Sequence, residues 1–337
     1  MLVLLAHCAE AMVSNLHLGR YLFELGQVGV SLFYVISGFL ITFLLEKEKT
    51  STDSINLKSF YIRRAFRIFP PFYIYIGVVL VLGFAGVHQR WQNIVAAATY
   101  TWNYVPSAHG GLLAHTSTLS MEEQFYLFWP FCVKFMSASR ARRLAFWLIL
   151  LAPFSRVATY FLFPVMVANG KVSGMLHTRV DTLMFGCLLA LVWRTPAFAE
   201  RTHRWLRVFT FHIAWIAAFI ALPLLAVFAG ESFRVVYLTL SGIAMSWLLI
   251  YVVRKPLSVP GRILNTKLAK YIGVISYSLY LYQQLFTGAM MRYFPFNFVG
   301  MLAATACSYY LIERPSLRLR DRMLLRAPSG HAIKAVL

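Results

Sequence analysis

Nearly all the arginines and lysines of this chain fall in every second gap between its apolar runs, an alternation that a lipid bilayer imposes. Apolar stretches lie near 1–13, 27–46, 69–87, 119–136, 144–166, 178–193, 208–229, 235–253, 271–291 and 294–312. The gaps on one side hold Lys47, Lys49, Lys58, Arg63, Arg64 and Arg67, then Arg140, Arg142 and Arg143, then Arg194, Arg201, Arg204 and Arg207. Lys255, Arg262, Lys267 and Lys270 follow on the same side, as do Arg314, Arg318, Arg320, Arg322 and Arg326 of the tail. The other side has little beyond Arg20, Arg90, Lys171, Arg234 and Arg292. Positive charge kept in the cytoplasm is the rule for multi-pass membrane proteins. Each run approaches the roughly 20 residues that a bilayer demands. The expected fold is all-α: a polytopic membrane helix bundle of about ten transmembrane helices with a cytoplasmic C-terminus.

A hydrophobic content of 59% with only 13% charged residues excludes a water-soluble globular domain. The net charge of +20 could mark a nucleic-acid binder. Such a footprint is a basic patch on a soluble fold, whereas here the charge sits in short gaps between helices, beside anionic headgroups and cytoplasmic anions. No nucleic-acid partner is expected. Cys8, Cys132, Cys187 and Cys307 each lie inside an apolar run without paired or metal-ligand spacing, so they read as small buried hydrophobes and no metal is expected.

One membrane domain over 1–337 accounts for the chain, with 313–337 as a basic cytoplasmic tail. Residues 93–105 are moderately apolar but too short to span, which suggests a re-entrant or interfacial segment within a long extracytoplasmic loop over 88–118. The first run is also short: thirteen residues cover about 20 Å at 1.5 Å per residue. With no basic lead or cleavage site of a signal peptide, the first helix is expected to be truncated or its start misassigned.

Ionisable groups inside spans cost roughly 2.5–3.5 kcal/mol each on insertion scales, so each is a functional candidate. His7 sits in the first run and can serve as general base, acyl carrier or proton relay, or as a neutral imidazole bonded to a neighbouring helix. Glu122 and Glu123 open the 119–136 run. Adjacent on a helix they point about 100° apart, so one can face the bundle while the other caps the N-terminus near Thr118 and Ser120. Arg179 and Asp181 open the 178–193 run and do not face each other; pairing of Arg179 with Glu122 or Glu123 is the obvious trial, and an interhelical ion pair competes with a catalytic role. Arg156, inside the 144–166 run, reads the same way. Arg63, Arg64 and Arg67 crowd one helical flank at the cytoplasmic interface, a set suited to bidentate phosphate binding or to a plain orientation signal.

Taken together, five stretches resemble the acyltransferase 3 family of integral membrane proteins, which modify cell-surface sugars. They are GVSLFYVISGFLIT at 29–42, FYIRRAFRIFP at 60–70, HTSTLSMEEQFYLFWP at 115–130, RVDTLMFG at 179–186, and the C-terminal pair SYSLYLYQQ at 276–284 and LIERP at 311–315. The likeness runs in order along nearly the whole chain. It implies that His7 matches the family's first-helix histidine, that Arg63, Arg64 and Arg67 match the basic motif receiving acyl-CoA phosphates, that Glu122 is the fixed acid of the glutamate motif, and that Arg179 and Asp181 are the later intramembrane pair. The chain departs from the family pattern in three places. The family arginine about eleven residues before the histidine would lie upstream of Met1. Tyr282-Gln283 stands where Trp-His is common, and Ser117 where Trp is common.

The activity implied is O-acyl transfer, with acetyl-CoA (or another acyl-CoA) as cytoplasmic donor and a hydroxyl of an extracytoplasmic glycan as acceptor, in a bacterial inner membrane. His7 would take the acceptor proton or carry the acyl group. Glu122 would orient the imidazole, and Arg179 would support the oxyanion. A transporter or flippase of a lipid-linked sugar is the rival reading. Transporters tend to show repeated halves with broken helices, and no such repeat is visible in the sequence.

Overall fold

The computed structural model describes residues 3–4, 6–7, 16–87, 89–106, 111–169, 171–206 and 208–325, and every element among them is helical. The main helices are α1 (Leu16–Thr52), α2 (Leu57–Phe84), α3 (Trp91–Ala98), α4 (Thr116–Phe135), α5 (Ala138–Leu162) and α6 (Leu176–Val192). They continue with α7 (Pro196–Trp205), α8 (Val208–Ile216), α9 (Leu222–Arg254), α10 (Lys267–Phe286), α11 (Phe296–Cys307) and α12 (Arg314–Leu325). Among the described residues, six spans are long and apolar enough to cross a bilayer: His17–Thr52, Leu57–Phe84, Ala138–Leu162, Val172–Val192, Val208–Ala229 and Val235–Arg254. The expected count of about ten is not reached by that measure. α4 carries Glu122, Glu123 and Gln124, and α11 has only 12 residues before a π-helical turn, Ser308–Glu313. Of the 1–13 run, residues 3, 4, 6 and 7 are helical, and the rest, with Cys8, lies outside the described residues, as does the tail beyond 325.

The chain forms two compact units, one of Met1–Leu44 with Phe135–Lys270, the other of Leu45–Lys134 with Tyr271–Leu337. In the first unit α1 and α6 run parallel, because their contacts advance together: Ser31 meets Arg179, and Gly38 meets Leu183. The crossing is tight. A Cβ on Gly38 would stand 2.2 Å from the Leu183 carbonyl oxygen, and one on Gly186 would stand 2.1 Å from that of Val35. Small residues that let backbones approach are how membrane helices pack without a hydrophobic driving force.

Residues 235–254 of α9 are also parallel to α6: Thr239 bonds Asp181 and, further along, Arg254 donates to the Trp193 carbonyl at 2.9 Å. The runs 208–229 and 235–254 form a hairpin, for the Phe211 and Tyr251 rings are 4.5 Å apart. A straight helix would separate them by about 60 Å. The ends carrying Arg194 and Arg254 therefore lie together, Arg194 over Phe43 at 5.1 Å and Arg254 over Trp193 at 4.3 Å, which is the grouping that the alternating charge pattern expects. One expectation fails here. Residues 16–26 are helix, not loop, so α1 has 37 residues and is about 55 Å long. Its buried positions Glu24, Val28 and Ser31 show why: the segment continues the packed face of the span.

In the second unit Asn56 caps α2, its side chain accepting from Ser59 N, so the helix starts well before the apolar run and carries Arg63, Arg64 and Arg67 within it. α10 runs parallel to α2, Tyr277 donating to the Ile68 carbonyl at 2.9 Å and Tyr282 packing edge-on against Tyr75. The 88–118 segment is ordered over most of its length. α3 and the turns after it pack Ile94, Ala96, Ala97, Trp102 and Leu113 against Phe72, Tyr75, Ile76 and Val79 of α2. Tyr73 donates to the Ala98 carbonyl at 3.1 Å, and Tyr100 stacks on Phe72 at 4.7 Å. These contacts lie about 18 Å along α2 from its end at Phe84. The segment thus folds back along α2, with residues 98–101 farthest from Phe84.

Candidate functional site

Two polar clusters, one in each unit, hold the ionisable residues that the sequence singles out. In the first unit Arg156 is 1% exposed and makes four hydrogen bonds among the described residues. It donates to the carbonyls of Thr178 (2.6 Å) and Val235 (2.7 Å), to Thr239 Oγ1 (2.8 Å) and to Asp181 Oδ2 (2.5 Å). Asp181 also accepts from Thr239 Oγ1 at 2.5 Å and from Thr182 N at 3.0 Å. This is the interhelical ion pair that competes with a catalytic reading of Asp181, and it ties α5, α6 and α9 at one point.

Arg179 is 3% exposed, and among the described residues its hydrogen bonds end on neutral acceptors: Gln27 Oε1 (2.6 Å), the Gln27 carbonyl (3.0 Å), Ser31 Oγ (3.0 Å) and the Ser173 carbonyl (3.1 Å). The trial pairing with Glu122 or Glu123 is not where these donors go. Asp181 lies in electrostatic reach of Arg179 but is bonded to Arg156. Arg179 Nε is buried without a hydrogen-bond partner, and Tyr34 presents its ring 5.3 Å from the guanidinium. The result is a buried cation held in position by dipoles. His7 belongs to the same unit: it is half-buried, and its neighbour Ala6 lies against Gly26, beside the Gln27 that grips Arg179. Glu24, 2% exposed and three residues before Gln27, shares that helix face; only the unbroken length of α1 reveals it as a buried helix position.

In the second unit the three arginines of α2 diverge, and an acid stands near each. Arg63 meets Glu48 at 3.4 Å, and Glu48 also accepts from Asn56 N at 2.8 Å. Arg64 turns inward over the Tyr126 ring at 4.5 Å, in electrostatic reach of Glu122 and Glu123. Arg67 is in reach of Glu313, which is 1% exposed and accepts from Ser278 Oγ at 2.8 Å. Each arginine of the expected flank therefore has an acid in reach, while Arg63 also feels Arg64 and Arg320, and 28% of the Arg63 side chain is accessible.

Glu122 and Glu123 stand in the second turn of α4, not at its N-terminus, because the helix begins at Thr116. The nearby Ser120 hydroxyl donates to the Thr116 carbonyl and so caps nothing. Glu122 is buried and accepts from the Tyr126 hydroxyl one turn on. Glu123 has a buried oxygen without a hydrogen-bond partner, with Tyr73, Tyr100 and Tyr277 in electrostatic reach. Among the described residues, no group of three or more His, Cys, Asp or Glu side chains is placed to hold a metal ion.

Comparison with known proteins identifies the family. A protein of Staphylococcus aureus (strain COL) named a putative O-acetyltransferase is 30% identical over 288 residues, covering 79% of this chain and 47% of that protein. O-acetyltransferase OatA of Staphylococcus aureus (strain NCTC 8325 / PS 47) is 29% identical over 283 residues, with the same shares covered. The chain thus spans about half the length of the curated relatives it matches. No solved structure matches it. The family model described as an acyltransferase domain matches residues 1–313, so the chain belongs to the acyltransferase 3 family, whose enzymes transfer acyl groups other than amino-acyl groups.

Proposed function

We propose that the chain moves an acetyl group from cytoplasmic acetyl-CoA to a hydroxyl of an extracytoplasmic glycan, as a multi-pass protein of a bacterial inner membrane with its C-terminus in the cytoplasm. Family membership and relatives named as O-acetyltransferases support the reaction class. The observation that carries the mechanism is Arg179, a buried guanidinium whose hydrogen-bond acceptors among the described residues are all neutral. Holding a cation in a low-dielectric interior is costly unless negative charge arrives. Attack of a hydroxyl on a thioester supplies that charge: the new C–O bond pushes electrons onto the carbonyl oxygen, which returns them as the C–S bond breaks and CoA thiolate leaves. A fixed donor aimed at that oxygen stabilises the step without reorganising.

In this reading His7 removes the proton of the attacking hydroxyl or carries the acyl group in a double displacement. Glu122, fixed by Tyr126, is the second catalytic candidate. Asp181 acts through Arg156 by fixing the helix that carries Arg179. Arg63 offers the CoA phosphates a partly accessible guanidinium, with 28% of its side chain exposed. A 3.4 Å pair with Glu48 is loose enough to be exchanged for a phosphate, while Arg64 and Arg67 set the charge behind it.

The test is mass spectrometry of surface glycans from a deletion strain complemented with this chain or with His7→Ala, alongside CoA release from acetyl-CoA in the same membranes. An ester-labile acetyl increment that disappears in His7→Ala, together with CoA release by the unaltered chain, is the expected result. Glycan changes without CoA consumption would overturn it in favour of a transporter or flippase.

A further inference from the structure

The tip of the segment that folds back along α2 carries features that neither helix packing nor the mechanism above uses. Tyr100 has φ +55°, left-handed backbone in a residue with a bulky side chain. Its carbonyl accepts from Gln124 Nε2 at 2.7 Å, and Gln124 is fixed in turn by reciprocal bonds to Asn103 at 3.2 and 3.0 Å. Its ring is stacked on Phe72 at 4.7 Å. Everything about Tyr100 is held except its hydroxyl, which is buried without a hydrogen-bond partner. Glu123, next to the clamping Gln124, likewise has a buried oxygen without a partner, and the two groups are in electrostatic reach of each other.

A buried donor and a buried acceptor left unsatisfied cost about 1–3 kcal/mol each, and sparsely populated backbone of this kind clusters at active sites and ligand clamps. A re-entrant backbone at membrane depth is itself tolerated only where protein buries it or a water-filled cavity adjoins it. Resting on the acyl-transfer reading, we infer that Tyr100 and Glu123 form the subsite for the acceptor: one carbohydrate hydroxyl donates to the Glu123 carboxylate and accepts from the Tyr100 phenol. The acceptor is assigned here, not the donor, because the segment enters from the Phe84 end of α2. Its tip reaches to within about two turns of Arg67, with Glu123 in electrostatic reach of Arg64, so an acceptor hydroxyl held there would meet the donor's side of the site. Phe69 and Tyr73 beside Tyr100 add the aromatic faces on which sugar rings pack.

The experiment measures acetyl on surface glycans and CoA release from acetyl-CoA in the same membranes, for the unaltered chain, Tyr100→Phe, Glu123→Gln and the double variant. Tyr100→Phe keeps the stack on Phe72 and removes only the hydroxyl. Transfer is expected to fall about tenfold, the loss of roughly one hydrogen bond to a charged partner or its neighbour, while CoA release with water as acceptor stays within about twofold. If both groups serve one hydroxyl, the double variant transfers no worse than the weaker single variant, because contacts sharing a ligand are not additive. Undiminished transfer in Tyr100→Phe, a parallel fall in CoA release, or additive losses in the double variant each overturn the assignment. Absence of CoA release from the unaltered chain is a different failure: it ends the acyltransferase reading and takes this subsite with it.

Discussion

Asp181 can be an ionic tie or a chemical group, and the geometry gives the two roles opposite consequences. Replacing Asp181 by valine leaves Arg156 charged at 1% exposure with three of its four partners, all neutral. Removing one member of a buried pair costs about 3–5 kcal/mol, because the other charge stays behind unpaired. At roughly 2–4 °C per kcal/mol for a body of this size, the apparent melting temperature should drop by about 6–20 °C. Removing both charges is different. In Arg156→Met with Asp181→Val no buried ion remains, and such replacements are often neutral or stabilising. Thr239 Oγ1 loses Asp181 but can turn to the Val235 carbonyl, one helical turn back, which Arg156 vacates. The assay is thermal unfolding of fluorescently tagged protein in detergent, followed by size-exclusion, with glycan acetylation measured in parallel. The ionic-tie account expects the single variant to melt low and the double variant to recover both stability and transfer. It is refuted if Asp181→Val melts within about 2 °C of the parent, or if the double variant is stable yet transfers nothing, which would make Asp181 part of the chemistry.

Three further outcomes follow from single sites. Gly186→Ala should cost about 1–3 kcal/mol by overpacking, since its Cβ would stand 2.1 Å from the Val35 carbonyl oxygen, whereas Gly77→Ala, with nothing within 4 Å, should melt like the parent. Arg63→Ala should raise KM for acetyl-CoA about tenfold with little change in kcat, the loss of one charge-assisted phosphate contact. Arg64→Ala, which removes the inward guanidinium over Tyr126, should act on kcat or on folding, and steady-state kinetics separates the two. Lys171, between α5 and α6, has its ammonium pushed down to about 8 by burial. The unfolded chain then binds the extra proton between about pH 8 and 10.5, so stability should rise with pH through that window. A Lys171→Met variant should lose that slope in pH-resolved melting curves.

The direction of the helices was legible because charge placement and packing obey the same constraint. Loops that keep Arg194 and Arg254 on one side of a bilayer also require α1, α6 and α9 to run parallel, and their side-chain contacts do advance together. Hydropathy read the ends of α1 and α2 less well. Residues 16–26 and 57–68 mix charges with apolar groups, so composition averages them into loops. What makes them helical is position: Glu24 is buried, Asn56 caps α2, and the aliphatic stems of long side chains cover the rest. Partner choice was the least legible. Sequence spacing placed Arg63, Arg64 and Arg67 on one flank, but the acids that divide them, Glu48, Glu122, Glu123 and Glu313, come from distant parts of the chain.

That division bears on how the donor is received. A bare cluster of three guanidinium groups would repel itself and bind any phosphate that drifted past. Three arginines that each have an acid nearby keep the local charge near neutral, so phosphate must compete with a carboxylate at each one. The competition is easiest at Arg63, whose 3.4 Å pair with Glu48 is partly exposed and screened by salt, and hardest at Arg67, whose neighbour Glu313 is 1% exposed. Occupancy should therefore start at Arg63. Displaced from Arg63, Glu48 still accepts from the Asn56 amide, so the turn between α1 and α2 keeps its hydrogen bond while the guanidinium is free to move. Glu48→Gln tests this order. It removes the competing charge but keeps the bond to Asn56, and it should tighten acetyl-CoA binding, most clearly at low salt. Weaker binding in that variant would mean that Glu48 holds Arg63 in its receiving position, and the exchange account would be wrong.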